Sequence, residues 1–174
     1  MGLASELGYR YPEPNRLQRL VQSFASSRFG GWLTPQTLVP MDRWTTRLTR
    51  GRISLPLALA ALPVITLVTT GRRSGLPRTQ HLLAIPHQDD LALIGTNFGR
   101  AVVPAWTLNL TANPAATVSY GGVTRNVYAR PATPGERTEI LATAAMKFPG
   151  AAQYEQRLEG RRQLPVVVLQ AATD

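Results

Sequence analysis

The pattern of apolar and polar residues changes at Pro63, from helical spacing before it to short β-rich runs after it. The runs occupy residues 63–69, 77–86, 91–95, 117–120, 123–130 and 165–170. The residues from His87 to Asp90 are typical of a turn, where His87 is expected to be solvated. Gly121-Gly122 is typical of a two-residue hairpin. Six short strands in a chain of this size predict a β-barrel.

Helices are predicted on either side of these strands and between them. Apolar residues in 17–24 recur at positions i, i+3, i+4 and i+7, and a second helix is expected after Pro40. Residues 104–112 form a third helix that opens with a proline. A fourth follows Thr133, which has capping-box spacing to Glu136 and precedes a buried stripe of Ile140, Leu141 and Ala144. We expect one mainly β structural domain with flanking helices, in which a helical segment (1–62) packs on the barrel (63–174).

The charge of the chain narrows the classes of partner. The net charge is +9, and Lys147 is the only lysine among its basic residues. Such a chain attracts nucleic acid, an anionic membrane or a polyanionic cofactor. No nucleic-acid-binding motif is present, so we expect no nucleic-acid partner. Cysteine is absent and only two histidines occur, which excludes thiol chemistry and disfavours a metal site.

The location of the protein is expected to be cytoplasmic. The N-terminus lacks the basic and apolar regions of a secretory signal. The most apolar stretch, residues 53–68, is short for a membrane-spanning helix and contains Pro56 and Pro63. We interpret it as a buried helix followed by a buried strand.

Three segments could carry chemistry. Residues 69–78 contain two glycines and four candidate anion ligands, namely Arg72, Arg73, Ser74 and Arg78. Glycines allow several backbone N–H groups to converge on an anion, and guanidinium groups add charge-assisted hydrogen bonds. Considered alone, the same segment could be a basic hairpin in solvent.

The second and third segments follow the predicted third strand. Gly95, Thr96 and Asn97 are small or polar residues that would let a planar ring approach the backbone, although an ordinary loop could have the same composition. On a helix over 104–112, Trp106, Asn109 and Leu110 share one face. Trp106 is typical of a core residue, whereas a half-buried Asn109 amide requires a hydrogen-bond partner.

Together these segments resemble a known family. The run Thr-Gly-Arg-Arg-Ser-Gly-Leu-Pro-Arg from Thr70 and the run Pro-Ala-Trp-Thr-Leu-Asn-Leu-Thr-Ala-Asn-Pro from Pro104 are similar to the deazaflavin-dependent nitroreductases, over about residues 63–170. That family has the six-stranded FMN-binding split β-barrel fold. The resemblance implies an oxidoreductase that transfers hydride between coenzyme F420, a deazaflavin with a phospholactyl group and a polyglutamate tail, and a small or lipophilic acceptor.

The resemblance also implies which residues contact the coenzyme. The anionic groups would be held by Arg72, Arg73, Ser74 and Arg78, and the ring system would be lined by Thr79, Gln80, His81, Leu82, Leu83, Gly95, Thr96, Asn97, Ala105, Trp106, Thr107, Leu108 and Asn109. His81 could equally be a packed strand histidine. Asn97 stands where many relatives have lysine, so one cationic contact is lost.

The acceptor end departs further from the family pattern. Phe148, Ala151 and Tyr154 stand where family nitroreductases often carry several tyrosines, so one phenol remains in a wider, more apolar pocket. This puts nitroimidazole reduction in doubt and favours a quinone-like acceptor. Thr96 and Tyr154 are the candidates for polarising or protonating the acceptor.

Other interpretations stay open at this stage. An FMN-dependent oxidoreductase on the same fold would also use phosphate-binding arginines, and a non-catalytic carrier of fatty acids or other lipophilic ligands has a similar barrel. The N-terminal arginines at positions 16, 19, 43, 47 and 50 could meet an anionic membrane or guide the coenzyme's tail. Either a monomer or a homodimer is compatible with the sequence.

Overall fold

A computed structural model describes residues 2–10, 63–97, 102–147 and 163–172 of the 174-residue chain. The strands in these ranges are β1 (Val64–Thr70), β2 (Pro77–His87), β3 (Asp90–Ile94), β4 (Ala115–Tyr120), β5 (Val123–Pro131) and β6 (Val166–Ala171). They form a closed antiparallel barrel in the order β1-β2-β3-β6-β5-β4. The predicted six-stranded barrel is confirmed, and no strand boundary differs from its predicted position by more than two residues.

Buried and partly exposed residues alternate along β1, and this alternation explains how side chains fill the barrel. Ile65, Leu67 and Thr69 are buried, while the residues between them are only partly covered. Leu67 lies opposite Val118 of β4, and both side chains belong to the main core cluster. Side chains on one face of each strand therefore fill the interior.

Local sequence signals determine two of the connections. Gly121 and Gly122 have φ values of 57° and 86°, and two consecutive positive φ angles are what a type I′ hairpin requires. The predicted capping box is also present. The Thr133 N–H donates to Glu136 Oε2 at 2.8 Å, and the Glu136 N–H donates to Thr133 Oγ1 at 3.4 Å.

Three helices lie within the described ranges: α1 (Leu3–Glu6), α2 (Ala105–Ala112) and α3 (Pro134–Lys147). The predicted stripe of α3 is present, because Ile140 and Ala144 are buried and Leu141 packs beside them in a second core cluster. This cluster covers the outer face of β2, β3 and β6. The helices predicted over 17–24 and after Pro40, the buried helix predicted within 53–62 and the boundary at residue 62 lie outside the described residues.

The short helix α1 was not predicted from the sequence. Leu3, Leu7 and Tyr9 belong to the main core cluster, although they come from the first ten residues. The Tyr9 hydroxyl lies 2.6 Å from the carbonyl oxygen of Ala84 and 3.0 Å from that of Pro63. The N-terminal segment is therefore an integral part of the barrel.

The expectation of a solvated His87 is wrong. The strand β2 extends through this residue, and the His87 side chain is 7% exposed. It lies on the same face of β2 as Ile85, which α3 covers, and its Nε2 lies 3.8 Å from Glu136 Oε1. Packing of α3 over the strand end removes the side chain from solvent.

The first half of β2 extends beyond its pairing with β3. Pairing with β3 begins at Ala84, opposite Leu93, and runs towards the turn that joins the two strands. From Pro77 to Leu83, β2 pairs with β1 alone among the described strands. We call this part of β2 the open segment.

No helix in the described ranges is long and apolar enough to cross a membrane.

Candidate functional site

The turn between β1 and β2, residues 71–76, carries most of the predicted anion ligands, and we call it the arginine turn. The Gly71 N–H donates to the Leu76 carbonyl at 2.9 Å, and the Gly75 N–H donates to the Gly71 carbonyl at 2.7 Å. Gly75 has a φ of +66°. A Cβ added at Gly71 would lie 2.7 Å from Ser74 Oγ. The two glycines allow a tight and internally bonded turn.

The backbone anion nest expected in this turn is not formed. The Ser74 N–H donates to the Gly71 carbonyl, and the Leu76 N–H donates to Ser74 Oγ at 3.3 Å. The Arg72 N–H donates to Asn109 Oδ1 at 3.1 Å. Because these N–H groups already have partners inside the protein, an external anion would be bound mainly by side chains.

Those side chains are three exposed guanidinium groups. Arg72, Arg73 and Arg78 form no ion pair with any residue that the structure describes, and Arg78 Nη2 donates to Ser74 Oγ at 3.3 Å. Elsewhere, Arg125 and Arg130 are paired with carboxylates at 3.0 and 2.7 Å. In the part of the chain that the structure describes, Arg72, Arg73 and Arg78 thus bring positive charge without a carboxylate partner to the arginine turn and the start of β2, where a phosphate or carboxylate ligand would neutralise it.

The side chain of Asn109 connects α2 to this turn. Its Oδ1 accepts the Arg72 N–H, and its Nδ2 donates to Thr69 Oγ1 at 3.0 Å. The Thr69 hydroxyl lies 3.5 Å from the Arg78 carbonyl oxygen. Asn109 and Thr69 are 6% and 2% exposed, so these bonds form away from water. One buried amide therefore fixes the helix against the ends of both strands that flank the turn.

The second predicted segment, Gly95 to Asn97, reaches the same helix at the end of β3. The Gly95 N–H donates to the Pro165 carbonyl at 2.8 Å. A Cβ added at Gly95 would lie 2.6 Å from Pro165 Cγ and 3.3 Å from Thr107 Cγ2. Glycine is needed here because the chain passes closely between β6 and α2. The three predicted segments therefore converge on α2.

The residues predicted to cover the ring differ in exposure. Trp106 and Thr107 are buried, and Thr107 Oγ1 donates to the Pro104 carbonyl at 2.7 Å. Ala105 and Leu108 are exposed and form the outer surface of the first turns of α2. Contact between α2 and a ligand would therefore come first from Ala105 and Leu108.

The remaining predicted residues lie near the opening. Thr79 and Gln80 are exposed on the open segment of β2, where His81, Leu82 and Leu83 are half-buried. Thr96 and Asn97 are also half-buried, and Asn97 Nδ2 donates to the Val102 carbonyl at 2.8 Å. The predicted acceptor residues Phe148, Ala151 and Tyr154 lie outside the described residues.

Two threonines of β1 were missed in the sequence analysis. Thr69 bonds Asn109, and Thr66 Oγ1 lies 3.2 Å from His81 Nδ1. Thr69 shares its buried face with Ile65 and Leu67. A hydroxyl at an interior position of an apolar strand could have indicated a buried polar contact.

The residues present fit the coenzyme that the resemblance implies. Three guanidinium groups without carboxylate partners among the described side chains suit a phosphate and a polyglutamate tail. Beside them, the open segment of β2 pairs with β1 alone among the described strands, which leaves its other edge to a planar ring. The donor set and the fold agree with an anionic, planar ligand.

Comparison with known proteins gives the same result. The F420H(2)-dependent quinone reductase of Mycobacterium tuberculosis is 30% identical over 122 residues, which are 70% of this chain and 81% of that protein. A solved F420-H2 dependent reductase is 27% identical, with a TM-score of 0.56 over 62% of this chain and 93% of the other. A structure described as a domain-swapped dimer is 26% identical, with a TM-score of 0.57 over 79% of this chain and 96% of the other.

The F420H(2)-dependent quinone reductase family matches residues 41–171, which is most of the chain. This match confirms the resemblance to deazaflavin-dependent enzymes, the split-barrel fold, the oxidoreductase class and coenzyme F420 as the family's redox partner. The arginine turn and α2, which carry the two motifs of the resemblance, both lie inside the matched range. The chain belongs to the F420H(2)-dependent quinone reductase family.

Proposed function

We propose that this chain binds coenzyme F420 in the opening of the barrel and catalyses hydride transfer from its reduced form to a quinone-like acceptor. When bound, the coenzyme supplies the hydride. The observation that supports this most directly is the set of three guanidinium groups, those of Arg72 and Arg73 in the arginine turn and that of Arg78 at the start of the open segment. None of them has a carboxylate partner among the described residues.

The residues of the chain would bind and orient the reactants. Arg72, Arg73 and Arg78 hold the anionic tail, and the docking of α2 through Asn109 keeps the turn in one position relative to the ring site. The exposed side of α2 then limits access of water to the ring. Restricting both reactants to one geometry lowers the barrier without an acid–base dyad.

The protonation step and the acceptor pocket are the finer parts of the proposal. Reduction of a quinone to a hydroquinone takes up one hydride and one proton. We assign Thr96, which lies two residues after the end of β3, and Tyr154 as the hydroxyl groups that polarise or protonate an acceptor oxygen. Phe148, Ala151 and Tyr154 would form its apolar surroundings, which suits a quinone better than a small polar substrate.

A binding comparison tests the proposal. Purified full-length protein is titrated calorimetrically with oxidised F420 and, in parallel, with FMN. The reduced coenzyme is then mixed with 2-methyl-1,4-naphthoquinone, and the return of the oxidised absorbance is followed. We expect F420 binding and turnover. Micromolar FMN binding without F420 binding would identify an FMN enzyme, and binding of fatty acids alone would identify a carrier.

Removal of a guanidinium group should weaken coenzyme binding. We expect Arg73→Ala to cost about 1.5–3 kcal/mol of F420 binding, the range for hydrogen bonds to charged groups, and the loss should shrink as salt rises. Arg125→Ala is the matched control, because Arg125 is paired with Glu6 on a strand away from the turn. Equal affinities of both variants would mean that the turn is only a solvated hairpin.

Two finer expectations about partners remain proposals. We propose a homodimer, which the relative described as a domain-swapped dimer supports. We also propose a peripheral contact with anionic lipid, based on arginines at positions 16, 19, 43, 47 and 50, which lie outside the described residues. Such a contact would bring the site close to membrane quinones.

A further inference from the structure

Thr69 places a hydroxyl group at an interior position of β1. The residue is 2% exposed and lies on the same face of the strand as Ile65 and Leu67, where side chains fill the barrel. A buried hydroxyl is unfavourable unless it forms hydrogen bonds. Its partners therefore indicate why this position of the strand carries threonine instead of valine.

The directions of the hydrogen bonds around Thr69 follow from one obligate donor. A backbone N–H can only donate, so the Arg72 N–H requires the oxygen of the Asn109 amide, Oδ1, at 3.1 Å. The Asn109 Nδ2 group then points to Thr69 and donates to its Oγ1 at 3.0 Å. The Thr69 hydroxyl proton has the Arg78 carbonyl oxygen within reach at 3.5 Å. The Thr69 oxygen is therefore the acceptor that keeps the Asn109 amide turned towards Arg72.

The Arg72 N–H is the link between the arginine turn and α2. Among the described residues, the other backbone N–H groups of the turn that form hydrogen bonds, at positions 71, 74, 75 and 76, all donate within the turn. Pairing between β1 and β2 ends at Thr70, opposite Pro77, so it does not extend into the turn. If the Asn109 amide lost its orientation, the main chain at Arg72 would lose its hydrogen bond to the helix.

Arg78 reaches the same turn from β2. Its Nη2 donates to Ser74 Oγ at 3.3 Å, and its Cγ would lie 3.3 Å from a Cβ added at Gly71. The Arg78 side chain therefore folds over the turn, next to the residue that Asn109 holds. Arg72 and Arg78 are exposed and have no carboxylate partner among the described residues. Like charges at one turn repel each other, so internal bonds are needed to keep them together before an anion binds.

We propose that Thr69 is a positioning residue for anion binding, which acts through the Asn109 amide to hold Arg72 beside Arg78. The assignment rests on the proposed function, in which these arginines bind the anionic tail of the coenzyme. Cationic side chains whose main chain is already in place lose less conformational freedom when the anion binds. The hydroxyl group of Thr69 therefore raises the affinity for the coenzyme without contacting it.

This assignment gives Asn109 a different role from the one that the resemblance implies. The resemblance places Asn109 beside the ring system of the coenzyme. Its side chain is 6% exposed, and both polar atoms of the amide have partners inside the protein. The amide thus connects Thr69 to the arginine turn. Its orientation should affect how the anionic tail is bound.

A double-mutant cycle on coenzyme binding tests whether Thr69 acts through Arg72. The full-length protein and its Thr69→Val variant are titrated calorimetrically with oxidised F420, each with and without Arg72→Ala. Thr69→Val should weaken F420 binding roughly fivefold to tenfold when Arg72 is present. It should have little effect when Arg72 is alanine, because the two changes then remove the same interaction. In the Arg73→Ala background the full effect should remain, since no bond in the chain from Thr69 involves Arg73.

Two measurements respond to positioning and not to a general loss of stability. Thr69→Val removes no charge, yet it should make F420 affinity less dependent on NaCl concentration, because one guanidinium group no longer reaches its anion. In the ligand-free protein, nuclear magnetic resonance should show faster hydrogen exchange of the Arg72 N–H in Thr69→Val than in the unsubstituted protein.

Two further variants serve as matched controls. Thr69→Ser keeps the hydroxyl group and should restore both F420 affinity and slow exchange of the Arg72 N–H. Thr124→Val also removes a strand hydroxyl, but that hydroxyl pairs with Ser119 near the hairpin between β4 and β5. Thr124→Val should therefore leave F420 binding and its salt dependence unchanged.

The outcomes separate this inference from the function on which it rests. If the unsubstituted protein binds F420 and Thr69→Val binds it equally well, the function stands and the positioning role is overturned. Equal weakening by Thr69→Val with and without Arg72, or unchanged exchange of the Arg72 N–H, would also overturn it. If the unsubstituted protein does not bind F420, both the function and the inference fail.

Discussion

At the scale of single residues, the Asn109 side chain connects α2 to the arginine turn and to β1. Both polar atoms of its amide are used, one for the Arg72 N–H and one for Thr69 Oγ1. The need for a partner was predictable from a half-buried amide on a helix. The partners were not, because they are 37 and 40 residues away in sequence and become neighbours only through the packing of α2 on β1.

Loss of the Asn109 amide should be costly for stability. We expect Asn109→Ala to lower the free energy of unfolding by about 1–3 kcal/mol, because the part-buried Arg72 N–H loses its acceptor and the buried Thr69 hydroxyl loses its donor. Asn113→Ala is the matched control on the same helix end, since Asn113 Oδ1 bonds one exposed N–H at 3.1 Å. Urea denaturation of both variants measures the difference. Similar losses would show that the buried bonds add nothing beyond a surface cap.

At the scale of elements, tight packing where the chain passes Pro165 after β3 explains Gly95. The sequence had suggested instead that this glycine lets a ligand ring approach the backbone. The Cβ of an alanine at position 95 would lie 2.6 Å from Pro165 Cγ, so β6 or α2 would have to shift. The sequence indicates a small residue at a strand end. It does not indicate that the small residue is needed for packing inside the protein, because Pro165 is distant in sequence.

Two glycine substitutions should therefore have opposite effects. Gly95→Ala should destabilise the protein by roughly 1–3 kcal/mol through overpacking. Gly135→Ala should stabilise it by about 0.4–1 kcal/mol, because Gly135 lies in the first turn of α3 with no atom within 4 Å of an added Cβ. Thermal unfolding of the two variants would measure both effects. A stable Gly95→Ala protein would mean that the passage is wider than described.

The attachment of α3 should depend on pH. Hydrogen bonds from Arg130, followed by the Thr133 N–H, lower the pKa of Glu136 well below its ordinary value of 4.5. The stabilising contribution of this carboxylate is therefore present above about pH 4.5 and is lost as the pH falls below that value.

Denaturation at two pH values would measure this dependence. The Glu136→Gln variant should be less stable than the parent protein at pH 7. The difference in stability should narrow at pH 3, where the parent protein has lost part of this contribution. Glu139→Gln serves as the control, because Glu139 is 66% exposed and lies outside the Arg130 pair. A gap for Glu136→Gln that stays constant between the two pH values would contradict the assignment.

At the scale of the whole molecule, local signals were enough to predict the barrel but not its closure at the N-terminus. The strands were predictable because β-rich runs, the Gly121-Gly122 hairpin and the capping box are all local patterns. The four-residue α1 has no periodic signal of its own. Its place in the core is determined by Leu3, Leu7 and Tyr9 meeting strands distant in sequence.

The role of α1 changes how the membrane proposal must be tested. A truncation starting near Gly51 would remove the N-terminal arginines, but it would also remove Tyr9 and its contacts with Pro63 and Ala84. Replacing the arginines at positions 16, 19, 43, 47 and 50 by glutamine keeps α1. We expect this variant to lose co-sedimentation with phosphatidylserine vesicles at low salt while still binding F420. If the unsubstituted protein never sediments with the vesicles, the proposed contact does not exist.

The same position of α1 affects the order in which the protein can be made. Its core partners include Leu93 in the middle of the chain and Leu169 on β6, the strand that joins β3 to β5. A ribosome produces the first of these residues long before the last. The apolar side chains of α1 therefore remain exposed, or are covered by another protein, until β6 has emerged from the ribosome. The core is therefore completed only after β6 has been made, and non-local contacts of this kind fold slowly.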